Sequence, residues 1–159
     1  MEKLKLITAW KTHLEEALER AKLSQAEARR GMRVDGDNRP ANRGERATVT
    51  SQGYLTQGLA KRIDTLEESL ELLARVGTDV RDQVVMGALV NAEHENGEAF
   101  WFALFPGGDA TAFTIGGVDV LVLSPQAPIV QPFLGLREGD EAEISLVGKR
   151  GMWELLGIA

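Results

Sequence analysis

Carboxylates and guanidinium groups crowd one stretch of this chain. Arg29, Arg30, Arg33, Arg39, Arg43 and Arg46 stand there, with Asp35, Asp37 and Glu45 among them. Six arginines against three acids leave residues 29–46 at +3 on a protein whose net charge is −6. Carboxylate oxygens suit a hard cation such as Mg²⁺. Two or three acids do not close such a site, so a second molecule would have to supply the other ligands. The arginines suit a phosphate backbone or an acidic channel wall. A plainer account stays open for both sets. Asp35-Gly36 is ordinary turn chemistry, and exposed arginines solvate a helix face.

Most other chemistry is excluded. With no cysteine, the chain has no disulfide scaffold, no thiolate nucleophile and no Cys-ligated zinc. The two histidines, His13 and His94, are far apart in sequence, which leaves little for a His-based metal centre or a Ser-His-Asp triad. No glycine loop is followed by Lys-Ser or Lys-Thr. Gly107-Gly108 and Gly116-Gly117 read as hairpin turns instead. No apolar run approaches the ~20 residues of a membrane span, and Met1-Glu-Lys-Leu-Lys5 lacks a signal-peptide core. A soluble, cytoplasmic protein without membrane contact is expected.

The elements that carry the charged stretch divide the chain in two. Residues 1–76 hold five glycines and one proline, and residues 77–159 hold twelve and four. The first part has 14 Lys+Arg against 12 Asp+Glu, and the second has 4 against 12. That acidic half repels nucleic acid and suits a partner surface rich in Lys and Arg. In residues 1–76, Leu4, Ile7, Lys11, Leu14, Leu18, Ala21, Gln25, Ala28 and Met32 alternate steps of three and four. Leu59, Ile63, Leu66, Leu70 and Leu73 repeat the step. The pattern predicts two helices joined by a polar turn at about 34–46 around Pro40, with the second running from about Ala47 to Val76. They should fold back as an antiparallel coiled-coil hairpin with Leu-rich base and soft tip.

From Gln83 the period changes. Val84–Val90, Glu98–Phe105, Val118–Leu123, Glu141–Val147 and Met152–Leu156 read as strands, the last two as a hairpin. Ile129–Leu134 reads as a helical turn. The expectation is an α+β chain: a helical hairpin over 1–76, then a mainly antiparallel β domain over 77–159. Trp101, Phe102, Phe105, Phe113, Phe133 and Trp153 are assigned to its core. Phe100-Trp-Phe102 and Trp153 alternatively could line an aromatic pocket.

The stretch Leu123-Ser-Pro-Gln-Ala-Pro-Ile-Val-Gln-Pro-Phe-Leu-Gly135, then Glu138-Gly-Asp-Glu-Ala-Glu-Ile144, then Met152-Trp-Glu-Leu-Leu-Gly-Ile158 resembles the Gre transcript-cleavage factors of bacterial RNA polymerase. The resemblance covers nearly the whole chain. It implies an FKBP-like C-terminal domain that grips the polymerase at its secondary channel, through Ala127, Pro128 and Ile129 with Phe133 behind them. It implies that the hairpin enters the channel and meets nascent RNA near the active site. Tip acids would there help hold Mg²⁺ that belongs to the polymerase, the chain having no cofactor of its own. Counted from Arg62-Ile63, Glu45 falls on the family's central tip glutamate. Asn42 replaces its aspartate, and Thr48-Val49 replace its Glu-Tyr. Glu45, Asp35 and Asp37 are the candidate catalytic acids, with Glu45 and Asp37 as Mg²⁺ ligands, and the six arginines are the RNA or channel contacts. The implied protein is a monomeric elongation factor and not an enzyme in itself. A channel-blocking inhibitor, an FKBP-like prolyl isomerase or chaperone, and a dimerising coiled-coil adaptor remain as alternatives.

Overall fold

Helix-forming spacing fills the N-terminal half of the structure. The computed structural model describes residues 2–32, 43–146 and 148–159, without the side chains at 32, 43–52, 146 and 149. Helix α1 spans Lys3–Met32 and α2 spans Arg43–Leu73. Helix α2 therefore begins ahead of the expected Ala47 and stops short of Val76. The chain divides by compactness into His13–Ser69 and a second unit made of Met1–Thr12 and Leu70–Ala159. The start of α1 and the end of α2 share one unit while their remainders share the other, so the two helices run in opposite directions.

In the helical unit Leu14, Leu18, Ala21 and Ala28 of α1 are buried, as are Ile63, Leu66 and Ser69 of α2. The Ser69 hydroxyl satisfies itself locally by donating to the Thr65 carbonyl at 2.9 Å. Lys22 and Glu67 bridge the helices at 3.9 Å, with both side chains about half exposed, so the pair adds little. The three-four stripe holds from Leu14 onward. Nearer the N-terminus it runs through Lys3, Leu6 and Trp10, while Leu4 is exposed and Ile7 is only half-buried. The expected Leu4–Ile7–Lys11 edge is thus one position off.

The other unit is built on one sheet of six strands: β1 (Leu89–His94), β2 (Ala99–Leu104), β3 (Asp109–Ile115), β4 (Val118–Leu123), β5 (Glu141–Leu146) and β6 (Lys149–Ile158). Their order is β3-β4-β2-β1-β6-β5. Only β2 and β4 are parallel, and every other pair is antiparallel. The Gly116-Gly117 turn closes the β3–β4 hairpin, with both residues at positive φ. Gly107-Gly108 does not close a hairpin, because β2 and β3 are not neighbours. A Cβ at Gly108 would lie 2.1 Å from the Leu123 carbonyl carbon, so only glycine lets this connection pass the end of β4.

The strand expected over Val84–Val90 begins only at Leu89. Gly87 has φ +89, which ends any extended run there. Strand β3 was not expected at all. The Gln131–Phe133 segment is a short 3₁₀ turn.

One face of the sheet carries the main core: Val90, Ala92, Phe102, Leu104, Leu123, Ile144, Trp153, Leu155 and Ile158, closed by Val84, Val130 and Phe133. Ile158 reaches this face because the β1–β6 register shifts between Asn91 and Ala92, which leaves Leu156 unmatched and reverses the alternation. On the opposite face Leu89, Ala103, Val120 and Val122 are also buried. Trp10 of α1 packs edge-on against Phe113 with ring centroids 6.1 Å apart. Its indole N–H donates to the Pro106 carbonyl at 2.9 Å. Trp101 and Phe113, assigned to the core from sequence, are only half-buried on this second face.

Candidate functional site

The loop after β4 is the first candidate, and it is built from consecutive turns. Ala127 N–H donates to the Ser124 carbonyl, Val130 N–H to Ala127, and Phe133 N–H to Val130, at 3.0, 3.0 and 2.9 Å. The Gln131 amide donates to the Pro125 carbonyl at 2.7 Å and ties the first turn to the last. Ser124 Oγ accepts the Gln126 N–H at 3.2 Å, a side-chain turn of the kind serine favours. Val130 and Phe133 are each 1% exposed and anchor the loop in the core. Gly135 N–H and Leu136 carbonyl then pair with the backbone of Val84, both at 2.9 Å.

The loop presents Gln126, Pro128, Gln131, Pro132 and Leu134 to solvent. Of the three residues expected to touch a partner with Phe133 behind them, Pro128 is exposed. Ala127 and Ile129 are half-buried against the core, and Phe133 is inside it. Phe133 can hold the loop but cannot meet another molecule. No charged residue or histidine stands between Ser124 and Gly135, so the segment can dock but has no group for acid–base or nucleophilic chemistry.

The charged end of the helices is the second candidate. Arg29 and Arg30 occupy the last turn of α1 and are exposed. Cations are favoured at that end of a helix dipole. Arg33, Asp35, Asp37, Arg39 and Asn42 lie outside the described residues. Arg43, Glu45 and Arg46 belong to the first turn of α2, and their side chains lie outside the described ones. Among the described residues no group of three or more His, Cys, Asp or Glu side chains could hold a metal ion.

The aromatic-pocket alternative does not survive. Phe102 stacks with Phe100 and with Phe133, both at 5.3 Å between centroids, and Phe100 meets Trp153 at 6.2 Å. These rings fill the core. Trp101 points to the other face, where it borders a shallow cleft with Lys5, Ile115 and Val118.

His94, too far in sequence from His13 to suggest a metal centre or triad, is nevertheless buried. It is 7% exposed, and its ring lies 4.9 Å from that of Trp153. Its Nδ1 accepts the Asn96 N–H at 3.3 Å, which places the proton of the neutral ring on Nε2. That Nε2 has no hydrogen-bond partner among the described residues. A Cβ at Gly151 would stand 2.4 Å from it, so glycine makes room for the imidazole. Nothing in local sequence marks His94, because its burial follows from the pairing of β1 with β6.

No helix among the described residues is long and apolar enough to cross a membrane. No model of a known protein family matches the chain. A transcription elongation factor GreA from Desulfovibrio desulfuricans (strain ATCC 27774 / DSM 6949 / MB) is 30% identical over 152 residues, covering 92% of this chain and 87% of its own. Among solved structures, GreA factor homolog 1 (Gfh1) of Thermus thermophilus aligns over 94% of both chains at 18% identity with a TM-score of 0.39. Thermus aquaticus Gfh1 aligns over 92% of both at 19% identity with a TM-score of 0.39.

Proposed function

Since the chain belongs to the GreA family of transcription elongation factors, we propose that it acts on bacterial RNA polymerase, docking by its β domain and placing the helical turn in the secondary channel. The observation that carries this reading is the 30% identity to GreA across 92% of the chain. The loop Ser124–Gly135 supports it, being rigidly held, uncharged and presented at Pro128. Arg29 and Arg30 support it from the other end as exposed cations suited to nascent RNA or an acidic channel wall.

The polymerase is the enzyme in this reading, and the chain is a monomeric factor that lends groups to it. Carboxylates at the turn have the donor chemistry a hard cation takes. Glu45, Asp35 and Asp37 would add oxygen ligands to Mg²⁺ held by the polymerase, and that ion supplies the Lewis acidity for phosphodiester hydrolysis.

The test is an RNA-shortening assay on stalled elongation complexes. Addition of the chain should shorten the RNA, and Glu45→Ala should abolish the effect while leaving polymerase binding intact. Full stimulation by the variant would remove Glu45 from the mechanism. A chain that ignored transcribing complexes would defeat the whole reading. A second reading has its own support. Asn42 stands where the resemblance places an aspartate, and Thr48-Val49 stand where it places Glu-Tyr. An amide is neutral and binds Mg²⁺ less well than a carboxylate. Slowed extension without shortening would favour a factor that obstructs the channel.

A further inference from the structure

The two edges of the sheet are finished differently. The β5 edge carries Glu141 and Glu143, and charge on an edge strand discourages further pairing. On the β3 edge no residue from Ala110 to Val118 is charged. This edge is blunted at its start, where Ala110 bulges at φ +67 and the Asp109 carboxylate accepts the Thr111 N–H at 3.0 Å. Beyond that point Thr111-Ala-Phe-Thr-Ile115 is a β-prone run.

The turn after β3 fixes which backbone groups it leaves over. Gly116 and Gly117 make a two-residue turn, both at positive φ, so Ile115 and Val118 beside it exchange hydrogen bonds. Bonded and non-bonded pairs then alternate along the ladder. Phe113 bonds with Val120, while Ala112 and Thr114 turn their N–H and C=O groups away from β4. No described strand lies on that side, and both residues are exposed. Two donors and two acceptors thus line up along an open edge.

The side chains beside that line are sorted by face. Phe113 shares a face with Val120 and packs on Trp10, yet it stays half-exposed. Ala112 and Thr114 lie on the other face, with Leu121 and Asp119 as their partners on β4. There the Thr114 hydroxyl donates to Asp119 Oδ1 at 2.6 Å, which holds the carboxylate toward the edge. Asp119 makes no ion pair with a described residue. Open backbone groups and an unneutralised carboxylate therefore meet at one place.

We propose that the β3 edge takes an extended segment of a protein partner as a further antiparallel strand. Backbone bonds to Ala112 and Thr114 give the affinity, and alternate side chains give the specificity. The segment's residue opposite Thr114 is basic and reaches Asp119. The next residue, opposite Phe113, is apolar, because that pair is non-bonded and brings its side chains closest. The third, opposite Ala112, is small. A second copy of the chain is the poorer occupant. The edge from Thr111 to Ile115 offers far less than the roughly 1,200 Å² that a stable protein pair buries, and a second β3 has no basic residue to bring to Asp119. The inference stands without the polymerase reading.

The test uses the full chain and an acetyl-Val-Arg-Val-Thr-Val-amide probe, followed by backbone amide NMR. In the chain alone, the Ala112 and Thr114 N–H groups should exchange with solvent faster than that of Phe113. The peptide should shift both saturably and slow their exchange. N-methylation of its arginine and threonine removes the donors that face β3 and should abolish binding. N-methylation of its central valine, whose N–H points away, should leave binding largely intact. Asp119→Asn keeps an acceptor for Thr114 and should weaken the arginine peptide about threefold, while a version with norleucine for arginine should bind both chains equally. Absence of a saturable shift at Ala112 and Thr114, indifference to where the methyl group sits, or equal losses for arginine and norleucine would overturn the proposal. Shifts of the same amides with the concentration of the chain alone would give the edge to a second copy and overturn it as well. None of these results bears on transcription, so they leave the polymerase reading where it stands.

Discussion

The helical unit and the sheet unit bury different kinds of side chain. In His13–Ser69 the described buried residues are Leu14, Leu18, Ala21, Ala28, Ile63, Leu66 and Ser69, with no aromatic ring among them. The sheet unit closes over Trp10, Phe102, Phe105, Phe133 and Trp153. A two-helix seam covers one stripe of each helix, whereas a sheet buried on both faces covers two layers. Apolar burial per residue is therefore greater in the sheet unit, and stability should be concentrated there. The loop proposed to dock is tied to the stable unit, and the charged stretch 29–46 falls within the lighter one.

Core truncation tests the contrast most strongly. Phe102→Ala should destabilise the protein by about 3–5 kcal/mol, since a fully buried ring leaves a cavity. Leu18→Ala, at 9% exposure on a narrow seam, should fall near the low end for its type, about 2 kcal/mol. Denaturant unfolding followed by tryptophan fluorescence reads both, and equal losses would erase the distinction between the units.

Trp10→Phe gives a smaller effect and sharpens the comparison at the base of α1. The ring survives, but the Pro106 carbonyl loses its 2.9 Å partner, at a cost of about 1–3 kcal/mol. Recovery of full stability in the phenylalanine variant would mean the hydrogen bond is idle.

The smallest expected effect concerns Lys3. Burial holds its ammonium below the ordinary lysine range. Arg81 pushes the same way, and Asp79 opposes both. The unfolded chain then binds more protons than the folded one between the lowered value and the ordinary one. Stability must rise with pH across that alkaline window. Below the window the penalty is fully present. Lys3→Met should flatten the rise in a pH series of unfolding midpoints, and an unchanged slope would exclude Lys3 as its source.

Much of this was legible from residue order. The stripe Leu59–Leu73 landed on the buried face of α2, and β2, β4 and the β5–β6 hairpin lie where alternation put them. The misses share a cause. Strand β3 carries half-exposed residues and a bulge at Ala110, φ +67, so its existence rests on pairing with β4. The base of α1 turned inward at Lys3 and Trp10 because the Asp79 and Pro106 carbonyls receive them. Both acceptors lie far along the chain.

The candidate sites divide in the same way. Glu45, Asp35, Asp37 and the arginines came from composition and resemblance, and the structure adds only that Arg29 and Arg30 are exposed in the last turn of α1. The burial of His94 against Trp153 could not be read from order, because the two lie far apart in the chain and become neighbours only through strand register.

Residue order by itself settled what each segment could be. Hydrophobic period 3.6 makes a helix whose stripe must be covered, and period 2 makes a strand with one wet face. Tertiary structure alone decided which strands meet, that β2 and β4 run parallel, and which polar groups end up buried without partners. Those outcomes depend on contacts between residues distant in sequence, and no local pattern encodes their register.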